Sequence, residues 1–216
     1  MKTARIFLWG WLLCGAPSLL WAAESRHEFI FEPGAGIQLK DPVVEGLDKN
    51  VDSFGDASAF FGAQYLWDPS QNLGIGLDIN FLGDSSARRR LISGAPTAWQ
   101  TKSLVVIAVL RYYVAATPFG KPYLLVGLGG HRTTLLVDDN LTPIIDSSRW
   151  GLASALGAGW DIPLRDPFLL GVESRWQFLS QTHYSLLSNS AGTTTATGGR
   201  AQPSSFDLLL RMGIRI

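Results

Sequence analysis

The chain has 216 residues, enough for one substantial domain, and its 18 basic residues balance its 18 acidic ones. This balance gives no indication of a nucleic-acid-binding protein. Hydrophobic residues make up 46% of the chain, yet beyond the N-terminus no apolar run reaches the roughly 20 residues of a membrane-spanning helix. The apolar residues must therefore follow another pattern.

Residues 1–23 have the pattern of a secretory signal peptide. Lys2 and Arg5 supply positive charge, an apolar stretch follows, and the small residues Ala22 and Ala23 precede a polar sequence. A membrane anchor is the alternative, but the apolar stretch is short for one. The pattern therefore predicts export, with cleavage near residue 23.

The single cysteine, Cys14, raises a lipoprotein signal as a further alternative. Leu13 stands directly before it, where lipoprotein signals carry a small residue, so this alternative is disfavoured. The mature domain is then 24–216 and contains no cysteine. It can hold no disulfide, thiol nucleophile or cysteine metal site.

From residue 29 onward, apolar residues alternate with polar or small ones, as in β-strands with two different faces. Eight segments show this alternation, at about 29–40, 57–68, 73–81, 104–112, 123–131, 150–162, 168–178 and 206–216. The third is the most regular, with apolar residues opposite Gly74, Gly76, Asp78 and Asn80. The fourth is mixed, because its second face carries Val105, Ile107 and Val109.

The connections between these segments alternate in length. Those at 68–72, 115–121 and 163–166 are short and rich in turn residues. Those at about 41–56, 83–101, 137–148 and 181–204 are longer and polar, and the Ser/Thr/Gly-rich tract at 188–202 is expected to be mobile. Short turns at one end and long loops at the other are typical of outer-membrane barrels, whose short turns face the periplasm.

The alternation alone does not say which face meets solvent, and a soluble lipocalin-like barrel is the alternative. Three features favour an apolar face toward lipid. The opposite face is rich in glycine and alanine, which suits the interior of a narrow barrel. The strands match the height of an outer-membrane apolar band. Aromatic residues of the apolar face also gather near both strand ends, as at two membrane interfaces.

The predicted fold is therefore all-β. It is a closed, eight-stranded, antiparallel up-and-down transmembrane β-barrel of the outer membrane, in which the first strand pairs with the last. Closure follows because hydrocarbon leaves no partner for an open sheet edge. Both termini of the mature chain are expected in the periplasm.

Several segments resemble the OmpA-type membrane domain. They are Pro122-Tyr123-Leu124-Leu125-Val126-Gly127-Leu128-Gly129, Gly157-Ala158-Gly159-Trp160-Asp161 and Glu173-Ser174-Arg175. The resemblance implies an eight-stranded barrel, here without a peptidoglycan-binding domain. The last strand also resembles the signal read by the barrel assembly machinery, but Ile216 stands where a terminal aromatic residue is usual.

Charged residues on the glycine-rich face are expected to point into the lumen. They are Glu32, Lys40, Asp78, Arg111, Asp161, Glu173, Arg175, Asp207, Arg211 and Arg215. Buried charges are costly unless they are paired, so the set predicts either a static plug or a gate whose ion pairs exchange partners. Glu173 is expected to pair with Arg175 or Arg211.

Two sequences in the long connections suggest chemistry. His183-Tyr184-Ser185 resembles the His-x-Ser element of the PagL-type lipid A deacylases, but only over three residues, and Asp207 is the only downstream acid that could orient a histidine. Arg88-Arg89-Arg90 is either a solvated loop or a contact for lipopolysaccharide phosphates. No spacing indicates a catalytic site, metal site or cofactor.

The sequence thus favours a small, non-enzymatic, monomeric barrel that contributes to envelope integrity or surface interaction through its long loops. A narrow gated channel for small solutes is the alternative, and a lipid A hydrolase comes third. The expected partners are outer-membrane lipid, lipopolysaccharide and the assembly machinery.

Overall fold

The computed structural model describes residues 26–38, 43–44, 57–90, 96–114, 117, 119–138, 143–190, 193–201 and 204–216. Side chains at 38, 43–44, 57, 84–90, 96–100, 135–138, 143–147, 183–190 and 193–201 lie outside the description. The strands are β1 (Arg26–Gln38), β2 (Val43–Val44), β3 (Ala57–Ser70), β4 (Leu73–Arg90), β5 (Pro96–Tyr113), β6 (Lys121–Asp138), β7 (Pro143–Pro163), β8 (Phe168–Leu179), β9 (Thr182–Ser190), β10 (Thr193–Ala201) and β11 (Ser205–Arg215). Within the described ranges, no helix is long and apolar enough to cross a membrane.

Eight of these strands form a closed barrel in the order β1-β11-β8-β7-β6-β5-β4-β3. Every neighbouring pair is antiparallel. Phe31 shows the closure, since it lies opposite Ala63 of β3 on one side and Met212 of β11 on the other. The predicted eight-stranded antiparallel barrel, with the first strand paired to the last, is confirmed.

The long connections differ from the prediction of irregular loops. The β4–β5 ladder continues as far as the pair Arg90 and Pro96, and the β6–β7 ladder as far as Asp138 and Pro143. Strands β9 and β10 pair with each other, and β2 joins them in a separate three-stranded sheet. Backbone hydrogen bonds extend these strands without requiring an apolar face. Their sequences therefore lack the alternation by which strands are recognised.

The two faces of the barrel differ sharply in chemistry. Apolar side chains such as Phe61, Phe81 and Leu128 point outward and are exposed, while the alternate side chains point inward and are buried. Outward aromatic rings lie near both ends of the wall: Phe29, Tyr65, Trp67, Tyr112, Trp160 and Phe168 near the short connections, and Phe61, Phe81, Trp150, Trp176 and Phe178 near the long ones. This is the surface that a lipid bilayer requires of a barrel wall.

Candidate functional site

Three arginines occupy the centre of the lumen. Arg111 lies on β5, Arg175 on β8 and Arg211 on β11, and each side chain is fully buried (0% exposed). Arg111 and Arg211 each stand between two outward apolar residues, and Arg175 stands between Ser174 and the outward Trp176. The strand alternation therefore directs all three inside. A guanidinium in such surroundings must be surrounded by acceptors to be tolerated.

Arg175 gathers carboxylates from three strands. Its Nε donates to Glu173 Oε1 at 2.5 Å and its Nη2 to Glu32 Oε2 at 2.9 Å. Its Nη1 lies 2.6 Å from Asp78 Oδ2. Because β8 and β4 lie on opposite sides of the wall, with β1 midway between them, these contacts cross the lumen.

Arg211 and Arg111 share a second set of acceptors. Arg211 Nε donates to Glu32 Oε1 at 3.0 Å and lies 3.6 Å from Glu173 Oε2. Arg111 Nη1 donates to Asp161 Oδ2 at 3.1 Å, and Arg211 Nη1 donates to the other oxygen of Asp161. Glu173 therefore contacts both Arg175 and Arg211. Because Arg211 and Arg111 both donate to Asp161, all three arginines belong to one network.

Two neutral side chains complete this network, and neither was among the candidate site residues. Gln64 Oε1 accepts from Arg111 and, at 3.2 Å, from Arg211, while its Nε2 donates to Asp78 Oδ2. Tyr123 OH donates to Glu173 Oε2 at 2.6 Å, and its ring centre lies 4.1 Å from the Arg111 guanidinium carbon. Both stand at inward positions, so strand parity was the signal that could have identified them.

The charges do not balance at the centre. Three guanidinium groups face the carboxylates of Glu32, Asp78, Asp161 and Glu173, which leaves one excess negative charge when all are ionised. We refer to these seven residues, with Gln64 and Tyr123, as the lumen network.

Two of the predicted lumen residues lie apart from the lumen network. Arg215 Nη2 pairs with Glu28 Oε1 at 2.7 Å near the short-connection end of the lumen. Asp207 is fully buried and accepts a hydrogen bond from Ser205 at 3.2 Å. Lys40 lies outside the described residues.

On the side of the long connections, apolar side chains line the lumen next to the network on β3, β4 and β5. These strands carry Gln64, Asp78 and Arg111 in the network. Nearer the long connections, their inward-facing side chains include Phe60, Leu82, Val105 and Ile107, all of them buried. The Arg175 guanidinium carbon lies 5.9 Å from the centre of the Phe60 ring, so the two layers are in contact. The mixed face of the fourth predicted strand is explained by this apolar layer.

Some buried polar atoms in the described lumen have no hydrogen-bond partner. They include both amide atoms of Asn80 and of Gln177, together with Asp207 Oδ1 and Asp78 Oδ1. Leaving such an atom unsatisfied costs about 1–3 kcal/mol. Asp78 belongs to the lumen network, whereas Asn80, Gln177 and Asp207 lie outside it.

The other candidate residues lie in the long connections. Arg88, Arg89 and Arg90 belong to the end of β4, and His183-Tyr184-Ser185 to β9, where His183 pairs with Arg200. The side chains of both sequences lie outside the description. Among the described residues, no group of three or more His, Cys, Asp or Glu side chains is arranged to hold a metal ion.

Comparisons with known proteins identify the architecture. No family model matches the chain, and no curated protein sequence is detectably similar to it. Among solved structures, the chain is similar to the outer membrane protein OprG from Pseudomonas aeruginosa, at 17% identity over 88% of this chain and 95% of that one, with a TM-score of 0.61. The chain has the fold of the small outer-membrane β-barrels.

Two further structures share this fold. A major outer membrane protein from Thermus thermophilus is 14% identical over 88% of this chain and 99% of its own, with a TM-score of 0.57. Neisserial surface protein A is 11% identical over 90% and 99%, with a TM-score of 0.52. The resemblance to OmpA-like barrels thus holds at the level of the fold, while the lumen network has to be interpreted from its own geometry.

Proposed function

We propose that this chain is a non-enzymatic outer-membrane barrel with a closed lumen, which acts through its extracellular strands and its place in the envelope. The observation that carries the proposal is the lumen itself. Arg111, Arg175 and Arg211 are fully buried among carboxylates, and an apolar layer packs against them. An eight-stranded barrel has an interior that side chains can fill, so we expect the described inward side chains to exclude a wide aqueous path.

The same proposal places the molecule in the envelope. Residues 1–23 act as a signal peptide, the short connections and both ends of the mature chain face the periplasm, and the strand extensions face outward. The apolar exterior and the unequal connections support this placement. Cell fractionation with heat-modifiable gel mobility tests it: an outer-membrane band that migrates faster unheated supports it, and a soluble or inner-membrane protein contradicts it.

Planar-bilayer recording of the refolded protein tests the closed lumen. We expect no discrete conductance from the wild type and the same result for Glu173→Ala, because the apolar layer remains in place. Tyr112→Phe, which changes only an outward ring, serves as the control for refolding. Reproducible channels in the wild type would contradict the proposal.

A narrow gated channel is the second candidate, and a specific observation favours it. The unpartnered amide atoms of Asn80 and Gln177 could accept or donate hydrogen bonds when the network rearranges. In a static plug, the same atoms would stay unsatisfied. The single excess negative charge would then favour cations. Voltage-dependent, cation-selective openings that disappear in Asn80→Leu would support this function over a closed lumen.

Three further expectations remain proposals. The last strand, β11, is the segment through which the assembly machinery would recognise the chain, and Arg88-Arg89-Arg90 is a candidate contact for lipopolysaccharide. A hydrolase acting on lipid A is the least supported function, since the acid that was to orient His183 is buried in the lumen beside Ser205. Mass spectrometry of lipid A with and without the protein tests that activity.

A further inference from the structure

The outer wall changes character abruptly on β5, β6 and β7. Towards the centre of the wall, Leu128 (74% exposed) and Leu152 (77% exposed) point outward. Nearer the long connections, β6 has Gly130 and then Arg132 at its next outward positions. Arg132 is exposed and lies opposite Trp150, which is 66% exposed. A tryptophan beside a cation at this level marks the boundary between hydrocarbon and headgroups.

A second cation lies beside Arg132. Lys102 of β5 is opposite Thr134, two residues from Arg132 on β6, and it points to the same outer face. Diagonal neighbours of this kind are roughly 7–8 Å apart. Two cations at this spacing can reach one phosphate or two phosphates of the same headgroup.

Arg132 is oriented by a neighbouring hydroxyl. Its Nε donates to Ser148 Oγ at 2.5 Å, and Ser148 lies on the same outer face of β7, opposite Thr134. This bond uses one of the five N–H donors of the guanidinium. An arginine held in this way can present its terminal nitrogens to phosphate oxygens as a fork.

The wall has a notch directly below Arg132. Gly130 lies between the outward side chains of Val106 and Leu152. A Cβ placed on Gly130 would come near only the carbonyl oxygen of Gly151, at 3.4 Å. The outer side of this position is therefore open and is flanked by two apolar side chains.

We propose that Lys102, Arg132, Trp150 and the notch at Gly130 bind a phosphorylated glycolipid of the outer leaflet. The cations and Ser148 contact its headgroup phosphates, and one acyl chain lies in the notch. The inference rests on the proposed placement of the long connections outside the cell. It is separate from Arg88-Arg89-Arg90, because it uses the barrel wall and not the extracellular end of β4.

The test measures binding of bis-phosphorylated lipid A to the folded protein in detergent micelles, with dephosphorylated lipid A and phosphatidylglycerol as comparison ligands. Losing one charge-assisted contact weakens binding by about tenfold, so we expect this loss for Arg132→Gln and for Lys102→Gln. Arg165→Gln, an exposed arginine in the short connection at the opposite end, should bind like the wild type. Gel mobility establishes that each variant is folded.

The notch and the phosphate preference are tested by further comparisons. Gly130→Leu should weaken binding of lipid A but leave binding of its deacylated, phosphorylated headgroup unchanged. Equal affinity for dephosphorylated lipid A, equal affinity for phosphatidylglycerol, or wild-type binding by Arg132→Gln would each overturn it.

A labelling experiment separates this proposal from the placement on which it rests. No cysteine follows Cys14 in the sequence. Arg149→Cys therefore introduces a single reporter in the mature chain, at an exposed position next to Trp150. An impermeant maleimide should label it on intact cells. Labelling only after permeabilisation would contradict the placement, whereas a failure of binding with labelling intact would contradict the glycolipid site alone.

Discussion

Arg175 donates to Glu32 across the lumen at 2.9 Å, joining residues that are 143 positions apart in the chain. The contact links β8 to β1, which are separated in the barrel by β11. It can therefore form only once the wall has closed or nearly closed. The lumen network stabilises the closed barrel from inside, where neither solvent nor lipid can replace its partners.

Removing Arg175 should be among the most destabilising single changes. Arg175→Ala leaves the carboxylates of Glu32, Asp78 and Glu173 buried without this cation, and breaking a buried pair costs about 3–5 kcal/mol. Guanidinium unfolding of the micelle-bound barrel measures the loss. Arg165→Ala, in an exposed turn, should change the free energy of unfolding by less than about 0.5 kcal/mol; equal stability of the two variants would contradict this role for Arg175.

Tyr123 stabilises the network through its hydroxyl group. Tyr123→Phe removes the 2.6 Å bond to Glu173 and keeps the ring against Arg111. A hydrogen bond to a charged group contributes about 1.5–3 kcal/mol, so the unfolding midpoint should fall. The matched control is Tyr112→Phe, whose ring points outward and is exposed. If the two variants unfold alike, the buried hydroxyl is not a stabilising partner.

Gly120 occupies a turn position that other residues tolerate poorly. Its φ is +135°, and an added Cβ would lie 2.5 Å from the carbonyl oxygen of Asp161. Gly120→Ala should cost about 1–3 kcal/mol through backbone strain, seen as a lower midpoint in the same unfolding experiment. Gly130→Ala is the control, because its Cβ meets open space apart from one carbonyl oxygen at 3.4 Å. A neutral Gly120→Ala would mean that the turn relaxes without cost.

Opening the lumen should require changes in both layers. Phe60→Ala leaves the lumen network in place, and Arg175→Ala leaves the apolar layer. Only the double variant removes both sides of the contact between them, so only it should give ion leakage from dye-loaded or salt-loaded liposomes. Phe61→Ala on the outward face controls for changes in insertion. Leakage by Phe60→Ala alone would show that the apolar layer is the sole barrier.

The lipid-facing surface and the number of strands in the barrel could be predicted from the sequence because period-two alternation depends only on local residue order. The same alternation placed Arg111, Arg175 and Arg211 on the lumen face. It did not detect the strands β9 and β10 of the separate sheet, because their sequences lack the alternation by which strands are recognised.

Residue order along the chain is enough to dictate an alternating, apolar-walled barrel and the inward direction of its charges, because both follow from which neighbours each residue has in its own strand. Which charges meet depends instead on the folded barrel. Glu173 is two residues from Arg175 in the chain, but its contacts with Arg211 and Tyr123 depend on register and closure across several strands. The same register brings Lys102, Arg132 and Trp150 together on the outer wall, because side chains distant in the chain become neighbours only when the strands pair.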